Sequence, residues 1–316
     1  MNNTEDASAS AAPAPHRADA PTVALALGAG GAKGLAHIGV IEELEAQGFR
    51  IVAIAGTSMG ALIGGIHAMG KLDVYRDWVC ALARFDVLRL VDWTFSGGGL
   101  IKGERIIGTL RGMIGDVMIE ELPLAFTAVA TDLDRGREVW LGRGNLFDAI
   151  RASIAVPTVF RPHHLDGRRM VDGALLNPVP VTPLIGVGAD YLLAVSVDGP
   201  AETIAAPGPA EQDPVDEASY RRRIGEFIGR LIPHGEHESR GPGTFDTLNQ
   251  AMDLMQANLA RLRLAAYEPD LLIQLPRNIA SVYEFYRARE LIERGREQTR
   301  KALADWPHSG APLRTP

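Results

Sequence analysis

Residues 51–69 read IVAIAGTSMGALIGGIHAM, and few folds can house that stretch. Ile51–Ala55 is an unbroken apolar run, as expected of a strand buried on both faces of a parallel sheet. Gly56-Thr57-Ser58-Met59-Gly60 follows, then a helical stretch set with small residues: Ala61, Gly64, Gly65 and Ala68. The spacing is G-x-S-x-G in a strand–turn–helix context, the nucleophile elbow. Its glycines allow a tight turn and a close backbone neighbour, so Ser58 projects from the top of the sheet. A helix starting there aims its amide donors and positive dipole end at any oxyanion formed on the serine. The plainer reading of the same residues is a glycine-rich turn with no chemistry.

Upstream, Val23–Leu27 is a first buried strand leading into Gly28-Ala29-Gly30-Gly31-Ala32-Lys33-Gly34. Leu35, Ile38, Ile41 and Leu44 then recur at helical spacing, and Gly48 is a natural stop. Strand, glycine turn, helix, strand, elbow, helix is a βαβα opening, which implies a parallel sheet with right-handed crossovers. The glycine loop is not a P-loop, because Lys33 is followed by Gly34 rather than Ser or Thr. Nor is it a Rossmann fingerprint, which needs Gly at position 33 and an acid after the second strand. What remains is a nest of backbone donors at a helix N-terminus, suited to an anion or oxyanion, or a purely structural tight turn.

Residues 72–119 are irregular and partly helical, reading as an insertion or cap, with Trp78, Phe85, Trp93 and Phe95 spread through them and a Ser-Gly-Gly-Gly turn at 96–99. Strands are expected at 123–132, 138–141, 189–198 and 270–275, and helices at 145–154, 245–266 and 282–303. Arg151-Ala152-Ser153, at the end of the first of these helices, can border the site, though nothing in its chemistry demands it. In the helix at 245–266, Leu248, Met252, Met255, Leu259 and Leu262 share one side, which predicts a face packed into the core. Cys80, the single cysteine, lies in the apolar stretch WVCALARF, is read as a core residue and rules out an internal disulfide.

The first 21 residues, biased to Ala, Pro and Ser with early acids and no apolar segment, read as a disordered leader and not a secretory signal. Residues 22–316 are expected to form a single domain, with a flexible segment at about 201–243. Within that segment, Tyr220–Ile232 places Ile224, Phe227, Ile228 and Leu231 opposite Arg221–Arg223 and Arg230. It fits an interfacial helix touching anionic lipid at the inner membrane face and an ordinary surface helix equally well. The net charge of −7 argues against a nucleic-acid binder, and no run is long and apolar enough to span a bilayer. The expected compartment is the cytoplasm. Oligomeric state is not legible.

An elbow serine needs a base. The usual order is Ser, acid, His, but His37 and His67 sit inside helices, His163 and His164 in a polar turn, and His234, His237 and His308 in mobile-looking segments. Asp172, in RRMVDGA, lies between an apolar run and a Gly-Ala turn, where a carboxylate can be held partly buried at a strand end. Burial raises an Asp pKa toward that of a useful general base. Taken alone, the same residue reads as an Asx turn capping its own backbone.

GAGGAKG, GTSMG and VDGALLNPVPV, in that order and spacing, closely resemble the bacterial patatin-like phospholipases, most of all the subgroup related to neuropathy target esterase. The resemblance implies an α/β fold with a mostly parallel central sheet sandwiched between helices in three layers. It implies a catalytic dyad of Ser58 and Asp172, and an oxyanion hole from the Gly30–Gly31 backbone, extended to Ala32. Lys33 takes the motif's basic position, and Gly34, Gly56, Gly60 and Gly173 its remaining places. The activity implied is hydrolysis of fatty-acyl esters, phospholipids or lysophospholipids, through an acyl-serine, with no metal or other cofactor. The alternative is a lipid- or partner-binding regulator on the same fold. One position departs from the family pattern: its first loop glycine is Ala29 here, and Ala tolerates positive φ poorly.

Overall fold

The computed structural model describes residues 20–83, 86, 102–157, 159–202 and 244–306. Outside them lie most of the leader, Phe85, Trp93, Phe95, the turn at 96–99, most of the segment at 201–243 with its 220–232 stretch, and His234, His237 and His308. The chain alternates strands and helices: β1 (Thr22–Leu27), α1 (Ala36–Ala46), β2 (Arg50–Thr57), α2 (Met59–Ala68), α3 (Leu72–Ala81), α4 (Glu104–Ile114) and β3 (Ala125–Asp132). Then come β4 (Arg137–Leu141), α5 (Leu146–Ser153), β5 (His163–Leu165), β6 (Arg168–Asp172), β7 (Tyr191–Gly199), α6 (Thr244–Ala266), β8 (Leu271–Pro276) and α7 (Ala288–Asp305).

These strands form one eight-stranded, mostly parallel sheet in the order β5-β6-β3-β2-β1-β7-β8, with β4 also paired to β3. The fold is α/β with helices packed against the sheet, as expected. β1 lies between β2 and β7, both parallel to it, so the chain winds outward from it in two directions. In such sheets the crevice at the carboxyl ends of the strands around this switch point is the ligand-binding position.

Alternation along β1 sorts the two faces. Val23, Leu25 and Leu27 enter a large core with Leu35, Ile38, Ile41 and Leu44 before and within α1, Ile63 and Ile66 of α2, and Leu291 and Ile292 of α7. Full burial of each large aliphatic side chain there contributes about 1.5–3 kcal/mol. Ala24 and Ala26 face the other way, with Ala53, Ala55 and Ala194, under Val179, Val181, Leu184 and Ala260 of α6.

That alanine-lined face corrects the reading of α6. Met255 and Leu262 are each 70% exposed, Leu248 is 48% exposed, and it is Ala260 that is buried. A helix lying close on a flat floor of alanines approaches through a small residue, which leaves Leu248, Met255 and Leu262 outside, Met252 and Leu259 half-buried, and Leu264 against the alanine face. Its position is secured by the Arg263–Glu138 ion pair at 2.9 Å. Three smaller differences have equally local causes. Cys80 is half-buried at the edge of the main core rather than within it. His163 and His164 belong to β5, not to a turn. The last helix begins at Ala288 instead of 282, because Glu284 Oε2 accepts from Ser281 N–H and the Val282 carbonyl accepts from Ala32 N–H. Among the described residues no helix is long and apolar enough to cross a membrane.

Candidate active site

The strand registers bring two distant residues head to head. β2 runs parallel to β3 up to Thr57 opposite Val129. β6 runs antiparallel to β3, with Asp172 opposite Ala130. β4 occupies the other edge of β3, opposite Ala128–Asp132, so β2 and β6 share one edge and their carboxyl ends meet there. Ser58 is the residue just past the end of β2, and Asp172 the last of β6.

Ser58 occupies the N-cap of α2 with φ 56° and ψ −122°, a region that costs a non-glycine residue about 1–3 kcal/mol. Its neighbours hold it there. Ser58 N–H donates to Ser153 Oγ at 2.9 Å, and Thr57 Oγ1 donates to the Asn177 carbonyl at 2.8 Å. The motif glycines permit the packing: a Cβ on Gly56, Gly60 or Gly173 would lie 2.3, 2.1 or 2.2 Å from the backbone oxygen of Gly60, Leu27 or Val129.

Asp172 divides its two oxygens between different tasks. Oδ1 accepts from Ala174 N–H at 2.8 Å, the Asx turn expected from the sequence. Oδ2 is buried and, among the described residues, meets no donor in full hydrogen-bond geometry. Burial pushes the pKa from the ordinary 3.8 up to about 6, and the facing Ser58 side chain and Ala174 N–H hold it down in part. The Asp172 N–H donates to the Ala155 carbonyl at 3.0 Å, and Thr131 Oγ1 donates to its carbonyl at 3.1 Å, so its backbone is fixed as well.

The glycine loop lies against this pair. A Cβ on Gly34 would be 2.5 Å from Met59 Cβ, which sets the loop beside the residue following the serine. Gly31 has φ +54° and opens a 3-10 turn (residues 31–35) that leads into α1. The amides of Gly30 and Gly31 make no hydrogen bond to any described residue, whereas Ala32 N–H is spent on the Val282 carbonyl at 3.0 Å. Ala32 is therefore not a free donor, which trims the expected three-amide set to Gly30 and Gly31. Ala29 has an ordinary negative φ, with its N–H on the Pro178 carbonyl at 2.9 Å, so the departure from the family glycine causes no strain.

Comparisons with known proteins place the chain. The sequence model of the patatin-like phospholipases matches residues 25–185. The chain belongs to the patatin-like phospholipase family. Among this patatin-like chain's relatives, NTE family proteins of Mycobacterium tuberculosis and Mycobacterium bovis are 39% identical over 90% of the chain and 91% of their own length. A lysophospholipase of Emericella nidulans is 30% identical over 55% of the chain and 12% of its own length. Neuropathy target esterase of Drosophila melanogaster is 26% identical over 58% and 13%.

Several features of this patatin-like site escaped sequence reasoning. Lys33 is spent within the protein: its Nζ bonds Asp198 Oδ1 at 2.7 Å and the Val197 carbonyl at 3.2 Å, with its side chain 9% exposed. His37 is fully buried and donates Nε2–H to the Gly28 carbonyl at 2.8 Å, and burial lowers its pKa to about 4. It is a strut for the loop, and its burial within α1 was the available signal. Ser153 is the third: the sequence places its segment at the border of the site, but the partners of its hydroxyl are visible only once register is known. Among the described residues no group of three or more His, Cys, Asp or Glu is arranged to hold a metal ion.

Proposed function

We propose that this phospholipase-type hydrolase cleaves fatty-acyl esters, with phospholipids or lysophospholipids as the substrate class, through a dyad of Ser58 and Asp172. The observation that supports it is the buried Asp172 carboxyl, made more basic by burial and met by the Ser58 side chain. Asp172 takes the Ser58 proton as Oγ attacks the ester carbonyl, and the oxyanion is met by the Gly30 and Gly31 amides. Collapse of the tetrahedral species breaks the bond to the alkoxide, which receives that proton and leaves. Water then gives a proton to Asp172 while its oxygen attacks the acyl carbon, and Ser58 departs with the proton. The named activities of the fungal and insect relatives agree with this class.

The test is purified protein against p-nitrophenyl esters and lysophospholipids, with labelling by a fluorophosphonate. Ser58→Ala abolishes labelling, and both it and Asp172→Asn lower turnover at least about 10³-fold. Near-normal hydrolysis by both variants sinks the dyad. A wild-type chain that binds lipid yet neither labels nor turns over is instead a regulator on this fold.

A further inference from the structure

Ser153, the last residue of α5, is fully buried at the point where β2 and β3 part. Its hydroxyl donates to the Val129 carbonyl at 2.6 Å and accepts from Ser58 N–H at 2.9 Å. Val129 is the last β3 residue paired with β2, and the next residue of β3, Ala130, already pairs with Asp172. The Ser153 oxygen therefore bridges the two strands at the position where the serine must leave the sheet and the aspartate enters it.

We propose that Ser153 is a positioning residue for the nucleophile, fixing the Ser58 backbone so that its hydroxyl meets the Asp172 carboxylate. The inference rests on Ser58 acting as that nucleophile. Two consequences of the geometry support it. First, Ser58 N–H is turned toward β3 and spent on Ser153, so the serine's own amide is not available as an oxyanion donor. Second, the positive-φ conformation of Ser58 needs an acceptor exactly where its N–H points, since a buried amide left unpaired costs about 1–3 kcal/mol. Without the bridge, the N–H must seek the Val129 carbonyl directly or rotate away. Either movement displaces Oγ from Asp172, and an error near 1 Å in such a geometry lowers rate about 100-fold.

The experiment compares wild type with Ser153→Ala, Ser153→Thr and Ser153→Cys. It measures the fluorophosphonate labelling rate, kcat and KM on a p-nitrophenyl ester, the pH profile of kcat/KM, and Tm. Ser153→Ala is expected to slow labelling and kcat about 100-fold together, with KM within twofold. Its pH midpoint moves upward, because the Ser58 side chain no longer helps hold the Asp172 proton affinity down. Ser153→Thr, which keeps the hydroxyl, recovers most of the rate. A Ser153→Ala protein that is less stable but labels at the wild-type rate overturns the inference and leaves the dyad standing. Should the alanine variant not fold, Ser153→Cys, of similar size but only weakly hydrogen-bonding, carries the comparison: labelling within twofold of wild type overturns it, and a loss above tenfold supports it. A wild-type protein that does not label at all sinks the nucleophile and this inference together.

Discussion

The two halves of the site are held in place by different chemistry. On the elbow side, Ser58, Thr57, Ser153 and Asp172 are tied by hydroxyls and backbone groups, and among the described residues no cation pairs with Asp172. On the loop side, the Lys33 ammonium is matched by Asp198 at 2.7 Å, and a neutral imidazole at His37 props the Gly28 carbonyl. The contrast decides the electrostatics. An unopposed buried carboxyl becomes more basic, and a cation with its own carboxylate leaves the loop amides to serve as the donors in the proposed reaction. Burial thus raises the proton affinity of a carboxyl on one side and keeps an imidazole neutral on the other.

Removing the elbow carboxyl is the largest way to break this contrast. Asp172→Asn lowers turnover at least about 10³-fold while making the protein more stable. The folded pKa of about 6 lies above the ordinary 3.8, so the wild type loses stability as pH rises from about 4 to 6 and carries that loss at every higher pH. The displacement corresponds to roughly 3 kcal/mol. Urea denaturation at pH 8 should show the gain in the Asn variant, and at pH 4 it should vanish. Activity has a matching limit: kcat/KM of the wild type falls about tenfold per pH unit below about 6, as the base is protonated. A rate flat between pH 5 and 7 removes Asp172 from the role.

His37 sharpens the contrast, because its sign is opposite. Its folded pKa of about 4 lies below the ordinary 6.5, so the loop side loses stability as pH falls from 6.5 toward 4, by roughly 3 kcal/mol. His37→Gln, whose amide can still donate toward the Gly28 carbonyl, flattens that acid limb in a denaturation series without moving the alkaline limb. If the limb keeps its slope, the imidazole is not its source. Lys33→Met is milder. Asp198 is a quarter exposed and can recover water, so we expect about 1–2 kcal/mol lost in place of the larger value for a fully buried pair. The loop amides are less well placed, which lowers kcat about tenfold with the pH midpoint unchanged.

How much of this was legible in the sequence follows from the same physics. Apolar runs such as Ile51–Ala55 have one solution, a strand buried on both faces, and the elbow after it is confined by Gly56 and Gly60. The sheet, its parallel opening and Ser58 are therefore readable. Asp172 is only half readable: its Asx turn is a local property, whereas its second oxygen depends on where β6 meets β2. Ser153 is readable only as part of a segment that can border the site, since a serine at a helix end has many uses and its partners are set by the Thr57–Val129 register. The face of α6 is hidden for a related reason. Periodicity shows which side chains share a side, and not whether the floor beneath is alanine. A floor of Ala24, Ala26, Ala53 and Ala55 draws in Ala260 and leaves Met255 and Leu262 outside.

Ala29→Gly gives the smallest effect and the finest probe of the loop side. It restores the glycine of the family pattern at a residue whose φ is negative, whose N–H is bonded to the Pro178 carbonyl and which is 8% exposed. Nothing in that conformation calls for glycine, so the substitution acts through the unfolded chain, which gains freedom to lose on folding. The expected outcome is a loss of about 0.4–1 kcal/mol in denaturant unfolding, with kcat and labelling rate within twofold of wild type. A several-fold gain in kcat would show that turnover uses a positive φ at this position, and that the loop side must rearrange before its amides reach the oxyanion. Unchanged turnover with slightly lower stability means that the loop, like the elbow, is already set for the reaction.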